Sequence, residues 1–346
     1  MKKTVAILFG GCSSEYKISL QSAYCIIKAI DTEKYNPLLI GITNAGTWFL
    51  YNSDLEKIKE NTWMNEKNCL PAMISSNKGD HGILVFNNNS IDKIWVDMVL
   101  PVLHGKNGED GTVQGLCQLA GIPIVGCQTL SSALCMDKYI AHLVVNAAGI
   151  DTPASYTISN ISDDMLALKY AEKLKYPLFV KPVKAGSSYG ITKVNNKNEL
   201  IPAIKAAFEY DDQVILEENI EGFEVGCAVL GNDELTIGRV DEIELVDGFF
   251  DYTEKYDRKT AKIHMPARIT DTKADEIKSI AARIYKALGC QGFARVDMFL
   301  TPDDKIVFNE VNTIPGFTTC SRYPNMLKGI GITFEKIIDM LLELAV

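Results

Sequence analysis

No stretch of the 346 residues approaches the roughly 20 consecutive apolar residues that span a bilayer. Positive charge is not in excess either: 35 Lys and Arg stand against 44 Asp and Glu, a net charge of −9. A nucleic-acid or anionic-membrane partner would favour a basic surface, so neither is expected. Histidine is scarce, with four isolated residues, and a zinc site is therefore not expected. The nine cysteines are odd in number and show no CxxC spacing, and several, such as Cys227, sit in apolar contexts. Reduced thiols in a cytoplasmic protein fit this pattern best. The start, MKKTVAILFGGC, imitates a lipoprotein export signal, but its apolar run Thr4–Phe9 is short and leads into an amphipathic helix pattern. GxGxxG, the Walker A GK[ST], internal repeats and low-complexity tracts are all missing.

What is present reads as an ordinary globular composition, 47% apolar and 23% charged, long enough for two or three domains. Residues 3–9 form a near-continuous apolar run, as expected of a parallel strand covered on both faces. A helix over 22–30 and strands over 36–42 and 94–102 follow, then a helix over 111–120 and a short strand over 123–126. This is an α/β sheet with its loops at the strand C-termini, the usual ligand edge. Beyond it the pattern becomes α+β, with a helix over 136–149, strands over 178–182, 190–194 and 214–217, and a helix over 201–210. Longer strands then dominate, over 224–230, 235–245, 294–300 and 305–311, with helices over 273–288 and 334–344. The natural division is an N-terminal domain (1–126), a central one (127–217) and a C-terminal one (218–346).

The strands 294–300 and 305–311 form a hairpin. With Asp303 and Asp304 as its central turn residues, Thr301 pairs with Ile306 and Asp297 with Glu310. The two carboxylates then face each other with Cβ atoms roughly 5 Å apart, and Asn312 lies on the same face. Opposed like charges need a cation between them, and two carboxylates with an amide oxygen suit Mg²⁺. A solvated acidic sheet face is the plainer alternative. The segment FVKPVKAGSSYG places Lys181 at a strand end before a glycine-serine loop. Its backbone N–H groups and the hydroxyls of Ser187 and Ser188 suit an anion, though an ordinary hairpin has the same composition. In ILEENIEGFEVG, Glu217 and Glu224 suit an adenine amine and ribose hydroxyls, or simply a solvated linker. Lys138 starts a helix and reads equally as a surface lysine.

With these segments in order, the chain resembles the D-alanine–D-alanine ligase family of ATP-grasp enzymes over essentially its whole length. The resemblance is carried by GGCSSE (residues 10–15), LHGKNGEDGTVQG (103–115), MDK (136–138), FVKP, KAGSSYG, DYTEKY (251–256), GFARVD (292–297) and NEVNTIPGFT (309–318). It implies an ATP-grasp fold of three domains, the first Rossmann-like. It also implies ATP between the central and C-terminal domains, with two Mg²⁺ ions and Mn²⁺ as an alternative, and commonly a homodimer. Lys138, Lys181, Ser188 and Lys255 would serve ATP and its phosphates, Glu217 the adenine and Glu224 the ribose. Asp297, Glu310 and Asn312 would ligate magnesium. Glu15, with Ser187 and Tyr256, would hold the ammonium of a first D-alanine, and His104 would lie near the substrates. Arg295 and the Gly316 N–H would stabilise the oxyanion, and Ser321 would contact the second substrate's carboxylate. Residues 247–258 would form a lid that keeps water from the acyl phosphate.

The departures from the family concern the second substrate. Tyr16 and Lys17 follow Glu15 where the family often has arginine. In the lid, Phe250-Asp251-Tyr252 stands for Tyr-Asp-Tyr. Arg322 occupies a position that is usually apolar. A guanidinium offers donors only and suits a hydroxyl oxygen better than a bare methyl. Phe250 with Arg322 resembles the D-alanine–D-serine ligases of vancomycin resistance, whose product lowers glycopeptide binding. Glu254-Lys255-Tyr256 keeps the peptide-ligase form rather than that of a D-lactate ligase. If Arg322 instead pairs with a nearby carboxylate, D-alanine remains the second substrate. Other classes are a nicotinamide-dependent dehydrogenase, suggested by Phe9-Gly10-Gly11, and a catalytically silent nucleotide-binding regulator. The first would leave the Asp297, Glu310 and Asn312 set without a purpose, and the full complement of acidic, lysine and arginine residues argues against the second.

Overall fold

The computed structural model describes residues 2–65, 67, 69–186, 189–245 and 261–345. Ser187, Ser188, Phe250, Lys255 and Tyr256 therefore lie outside the described residues, as does the expected lid.

Three sheets organise the chain. The first is built from β1 (Lys3–Gly10), helix α1 (Tyr16–Ala29), β2 (Tyr35–Ile42), β3 (Trp48–Tyr51), the short helix α2 (Glu56–Lys59), β4 (Leu70–Ile74), β5 (Gly82–Asn87), β6 (Ser90–Trp95) and β7 (Met98–Val102). Its strand order is β6-β5-β4-β3-β2-β1-β7, with β1 parallel to both neighbours. The run Val5–Phe9 is wholly buried, as continuous apolar sequence requires of a central parallel strand. Val5, Ile7, Leu8 and Phe9 each contribute about 1.5–3 kcal/mol of burial. The single strand expected over 94–102 is two strands: β6 closes a hairpin with β5, and β7 lies against β1. The break falls at Asp97, whose carboxylate accepts the Thr4 N–H at 2.7 Å and whose own N–H donates to the Thr4 carbonyl. Residues 94–102 are apolar except for Asp97, so pattern alone does not reveal the corner.

Helices α3 (Thr112–Ala120), α4 (Thr129–Met136) and α5 (Lys138–Ala147) lead to the second sheet. The short strand expected over 123–126 reduces to one bridge, Val99 to Ile124. The helix expected over 136–149 begins afresh at Asp137, whose side chain caps α5 through the Ile140 N–H. The second sheet has four strands in the order β10-β9-β11-β8. They are β8 (Ser155–Ile158), β9 (Leu178–Pro182), β10 (Thr192–Val194) and β11 (Val214–Glu218), with α6 (Asp164–Leu174) and α7 (Lys197–Ala207) packed on them.

The third sheet comprises β12 (Phe223–Leu230), β13 (Thr236–Ile237), β14 (Asp241–Leu245), β15 (Ala261–His264), β16 (Phe293–Leu300) and β17 (Ile306–Asn312). Helix α8 (Asp271–Ala287) covers one face and shares its core with α4 and α5. The strand expected over 235–245 is split into β13 and β14, because the Arg239 N–H leaves the sheet to donate to the Met326 carbonyl. The chain ends in α9 (Arg322–Lys328) and α10 (Phe334–Leu344). The buried face of α10 joins the core formed by α1 and the first sheet, bringing the third sheet's exit loop beside the first sheet's strand ends.

Candidate active site

The site is built on one row of the third sheet. Across four strands the register aligns Asp241, Gly226, Asp297 and Glu310. The Asp297–Glu310 pairing agrees with the sequence expectation, but by a different route. The turn register differs: Leu300, not Thr301, pairs with Ile306, and Asp304 has φ +68° in a loop one residue longer. A bulge at Asn309 then restores the offset before Glu310.

Gly226 leaves a gap in this row, and Arg322 fills it. A Cβ at Gly226 would lie 2.2 Å from the Arg322 guanidinium and 2.7 Å from Asp241. Arg322 donates from Nε and one terminal nitrogen to the two Asp241 oxygens at 2.7 and 2.8 Å. Its other terminal nitrogen donates to Glu224 at 2.9 Å, and Asp297 lies 3.3 Å away. Arg295 binds Asp297 through both carboxylate oxygens, and the Asn312 amide donates to it at 2.9 Å. Asp241, Glu224, Asp297 and Glu310 thus face Arg295 and Arg322, four carboxylates against two guanidinia. Burial, with Asp297 adding to it, pushes Glu224 up to about 7.

Two carboxylates and an amide are hard donors of the kind Mg²⁺ takes, and an excess of carboxylates over guanidinia in this row favours a divalent cation. The donor set of Asp297, Glu310 and Asn312 fits it. In the arrangement described, Arg295 and Arg322 take the cation's part, and no group of three or more His, Cys, Asp and Glu among the described residues is gathered as a metal site.

A cavity of about 280 Å³ opens beside this row. Glu15, His104, Arg295, Gly316, Ser321 and Arg322 all line it. Glu15 is placed by the turn after β1, which Ser19 of α1 fastens by accepting the Gly10 N–H and donating to the Val102 carbonyl. The Ser13 hydroxyl adds a bond to the His104 carbonyl at 2.6 Å. A Cβ at either Gly105 or Gly186 would meet the Glu15 carboxylate within 3 Å, so both loops close on it through glycine. His104 is buried, and desolvation holds its imidazole below the ordinary value, hence neutral. Ser321 donates to or accepts from Thr318 and lies over Gly316.

The second sheet gathers the residues expected at the nucleotide. Lys181 of β9 and Glu217 of β11 form a buried pair at 2.5 Å. Burial alone would raise Glu217, but the Lys181 ammonium holds it below the usual range. Lys138 donates to the Ala185 carbonyl at 2.7 Å, reaching the glycine-serine loop. Sequence reasoning missed Asp241, Glu109 and Ser22. Glu109 sits inside a motif quoted for the resemblance and could have been found there, whereas Asp241 stands in an acidic run that reads as surface.

The three sheets, with a cavity where the third meets the first, make this an ATP-grasp enzyme fold. The family profile "D-ala D-ala ligase C-terminus" matches residues 144–343, and "D-ala D-ala ligase N-terminus" matches residues 4–127. The chain belongs to the D-alanine–D-alanine ligase family. It is similar to the vancomycin/teicoplanin A-type resistance protein VanA of Enterococcus faecium, with 46% identity covering 99% of this chain and 98% of that one. It is 42% identical to a D-alanine–D-alanine ligase of Thermoanaerobacter, covering 100% and 97%. Among solved structures, the VanG D-Ala:D-Ser ligase from Enterococcus faecalis matches with a TM-score of 0.94 and 56% identity over the whole of both chains.

Proposed function

We propose that this chain ligates D-alanine to D-serine using ATP, through a D-alanyl phosphate. The dipeptide would enter peptidoglycan precursors and lower their affinity for glycopeptides. The observation that carries the reading is the shared cavity, where Glu15, Arg295, Gly316, Ser321 and Arg322 meet beside Asp297 and Asn312.

A carboxylate is a poor acyl donor, so its oxygen first takes the γ-phosphoryl group, releasing ADP. Lys138 and Lys181 would spread the charge of that transfer. Asp297, Glu310 and Asn312 would hold Mg²⁺, which when bound neutralises phosphate oxygens. Glu15 anchors the first D-alanine's ammonium. The amine of the second substrate then attacks the acyl carbon, and Arg295 with the Gly316 N–H stabilises the tetrahedral oxyanion. Collapse expels phosphate, and the attacking nitrogen loses its proton to leave the peptide. Ser321 faces the second carboxylate.

Arg322 is the basis for D-serine. Three of its five N–H groups are used on Asp241 and Glu224 and a fourth faces Asp297 at 3.3 Å, leaving one donor for a hydroxyl oxygen in the cavity that Arg322 lines. The same contacts favour a second reading: a guanidinium held by acidic partners leaves D-alanine as the second substrate. ADP release with D-alanine plus D-serine, against D-alanine alone, separates them by product identity. D-alanyl-D-alanine as sole product would sink the D-serine reading, and no ADP release would sink both. A cytoplasmic homodimer completes the proposal. The nine free thiols suit the compartment. Leu119, Leu130 and Leu143 are exposed on α3–α5, where Thr112–Met136 contains no charged residue to repel a second copy.

A further inference from the structure

We propose that Glu109 and Ser22 are positioning residues that set the Gly316 N–H from the first sheet's side of the cavity; this rests on reading Gly316 as the oxyanion donor. The turn Ile314–Phe317 can be audited group by group. The Ile314 N–H donates to Glu109 Oε1 at 2.8 Å, and Pro315 has no N–H. The Phe317 N–H donates to Ser22 Oγ at 3.2 Å. Within this turn the Gly316 N–H has no acceptor among the described residues, and Gly316 lines the cavity. Its neighbours are tied, so its direction is fixed.

The ties form a closed ring with one consistent direction. The Ile314 carbonyl accepts from His104 Nδ1 at 2.8 Å, which puts the ring proton there. Neutral His104 therefore offers a lone pair at Nε2, which accepts a hydrogen bond from the Ser22 hydroxyl at 3.3 Å. Ser22 Oγ is then free to accept from Phe317, closing the ring. Ser22 and His104 are 0% and 4% exposed, so no water competes for these bonds.

Glu109 joins the ring to its own loop. Its second oxygen accepts the Gly105 N–H at 2.8 Å, so one carboxyl group spans the residue after His104 and the turn carrying Gly316. Gln114 holds the same loop through the Gly108 carbonyl at 2.7 Å. Ionised Glu109 accepts at both oxygens, whereas glutamine at 109 has only one acceptor oxygen and its amide would oppose an N–H, so the comparison is made at about pH 9, above the range where Glu109 keeps its proton. In α1, Ser22 follows Glu15 by about two turns, so the first-substrate anchor and the oxyanion donor share one frame.

The test compares the unsubstituted chain with Ser22→Ala and Glu109→Gln, using ATP affinity, kcat, KM for D-alanine and binding of a dipeptide phosphinate. The phosphinate's tetrahedral oxyanion samples the Gly316 N–H directly. Both kcat and phosphinate affinity are expected to fall about 10- to 100-fold, because a misplacement near 1 Å costs about that much. ATP affinity and KM should stay within about threefold. Losses confined to melting temperature, or a kcat loss without a phosphinate loss, overturn the proposal. The two variants cut separate bonds, so if one fails to fold the other decides. Absence of dipeptide from the unsubstituted chain would instead overturn the function beneath it, and is seen without any variant.

Discussion

Arg322 and Asp241, 81 residues apart, meet in a two-bond contact at 2.7 and 2.8 Å, with the aspartate wholly buried. A charge pair out of water is held by mutual neutralisation, and removing one partner costs about 3–5 kcal/mol. Asp241→Asn should therefore lower stability by roughly that amount. It should also cut the D-serine to D-alanine ratio of kcat/KM by about tenfold, since a loosened guanidinium loses about one hydrogen bond's discrimination. Arg322→Leu should shift the product toward D-alanyl-D-alanine. The double variant should melt above the sum of its parts, because both charges leave together. Strict additivity, with unchanged substrate preference, would show that the contact is idle.

Gly226 gives a sharper test of the same place. Its missing Cβ is the space for the Arg322 guanidinium, so Gly226→Ala must push that group aside. Overpacking of this kind costs about 1–3 kcal/mol, and ligase activity should drop with it. Gly115, in α3, is the control: the nearest atom to its added Cβ is 3.8 Å away. Gly115→Ala should gain up to about 1 kcal/mol with activity unchanged. Melting curves and ADP release on the two variants read both expectations.

How much of this site could be read from sequence follows from how local each cause is. Asp297 and Glu310 are paired as sequence placed them, although the hairpin loop is longer and the Asn309 bulge absorbs the difference. Two local features cancelled, and only the backbone shows both. The strands 178–182 and helix 334–344 match their apolar pattern end to end. The corner at Asp97 was illegible because Thr4, its partner, is 93 residues away. Asp241 was illegible for the same reason. Its role depends on a glycine one strand over and an arginine one helix later, and no period in the sequence encodes either.

Glu109 and His104 make the stability depend on pH in opposite senses. Burial, with Glu15 adding to it, pushes Glu109 up to about 8. Between its ordinary value of 4.5 and about 8 the folded chain keeps a proton that the unfolded chain has released. The folded state then binds more protons, so stability falls as pH rises through this window and levels off above it. His104 is held neutral by burial, so unfolding below its ordinary 6.5 takes up a proton. Its contribution is lost as pH falls through 6.5. Glu109→Gln should remove the decline between pH 4.5 and 8 while leaving the acid-side loss in place. Melting temperatures across pH 4 to 9 decide it: equal slopes in both proteins would contradict the assignment.

The charge balance at the third sheet predicts a cation response. Asp241, Glu224, Asp297 and Glu310 face Arg295 and Arg322, so among these six side chains the carboxylates outnumber the guanidinia when Glu224 is ionised. Like charges packed in one ladder row raise the energy of the folded state, and a divalent cation bound there lowers it. Adding Mg²⁺ should therefore raise the melting temperature, by an amount that grows with concentration. The response should be larger above pH 7, since Glu224 then loses its proton. Glu310→Gln removes one donor oxygen's charge and should reduce the shift, while Lys34→Ala, far out on the surface against Asp339, should leave it intact. Chelation should abolish ADP release and be reversed by Mg²⁺. A melting temperature indifferent to Mg²⁺ in the unsubstituted chain would mean that the two guanidinia already satisfy the row, and that Asp297 is a structural partner of Arg295 rather than a ligand.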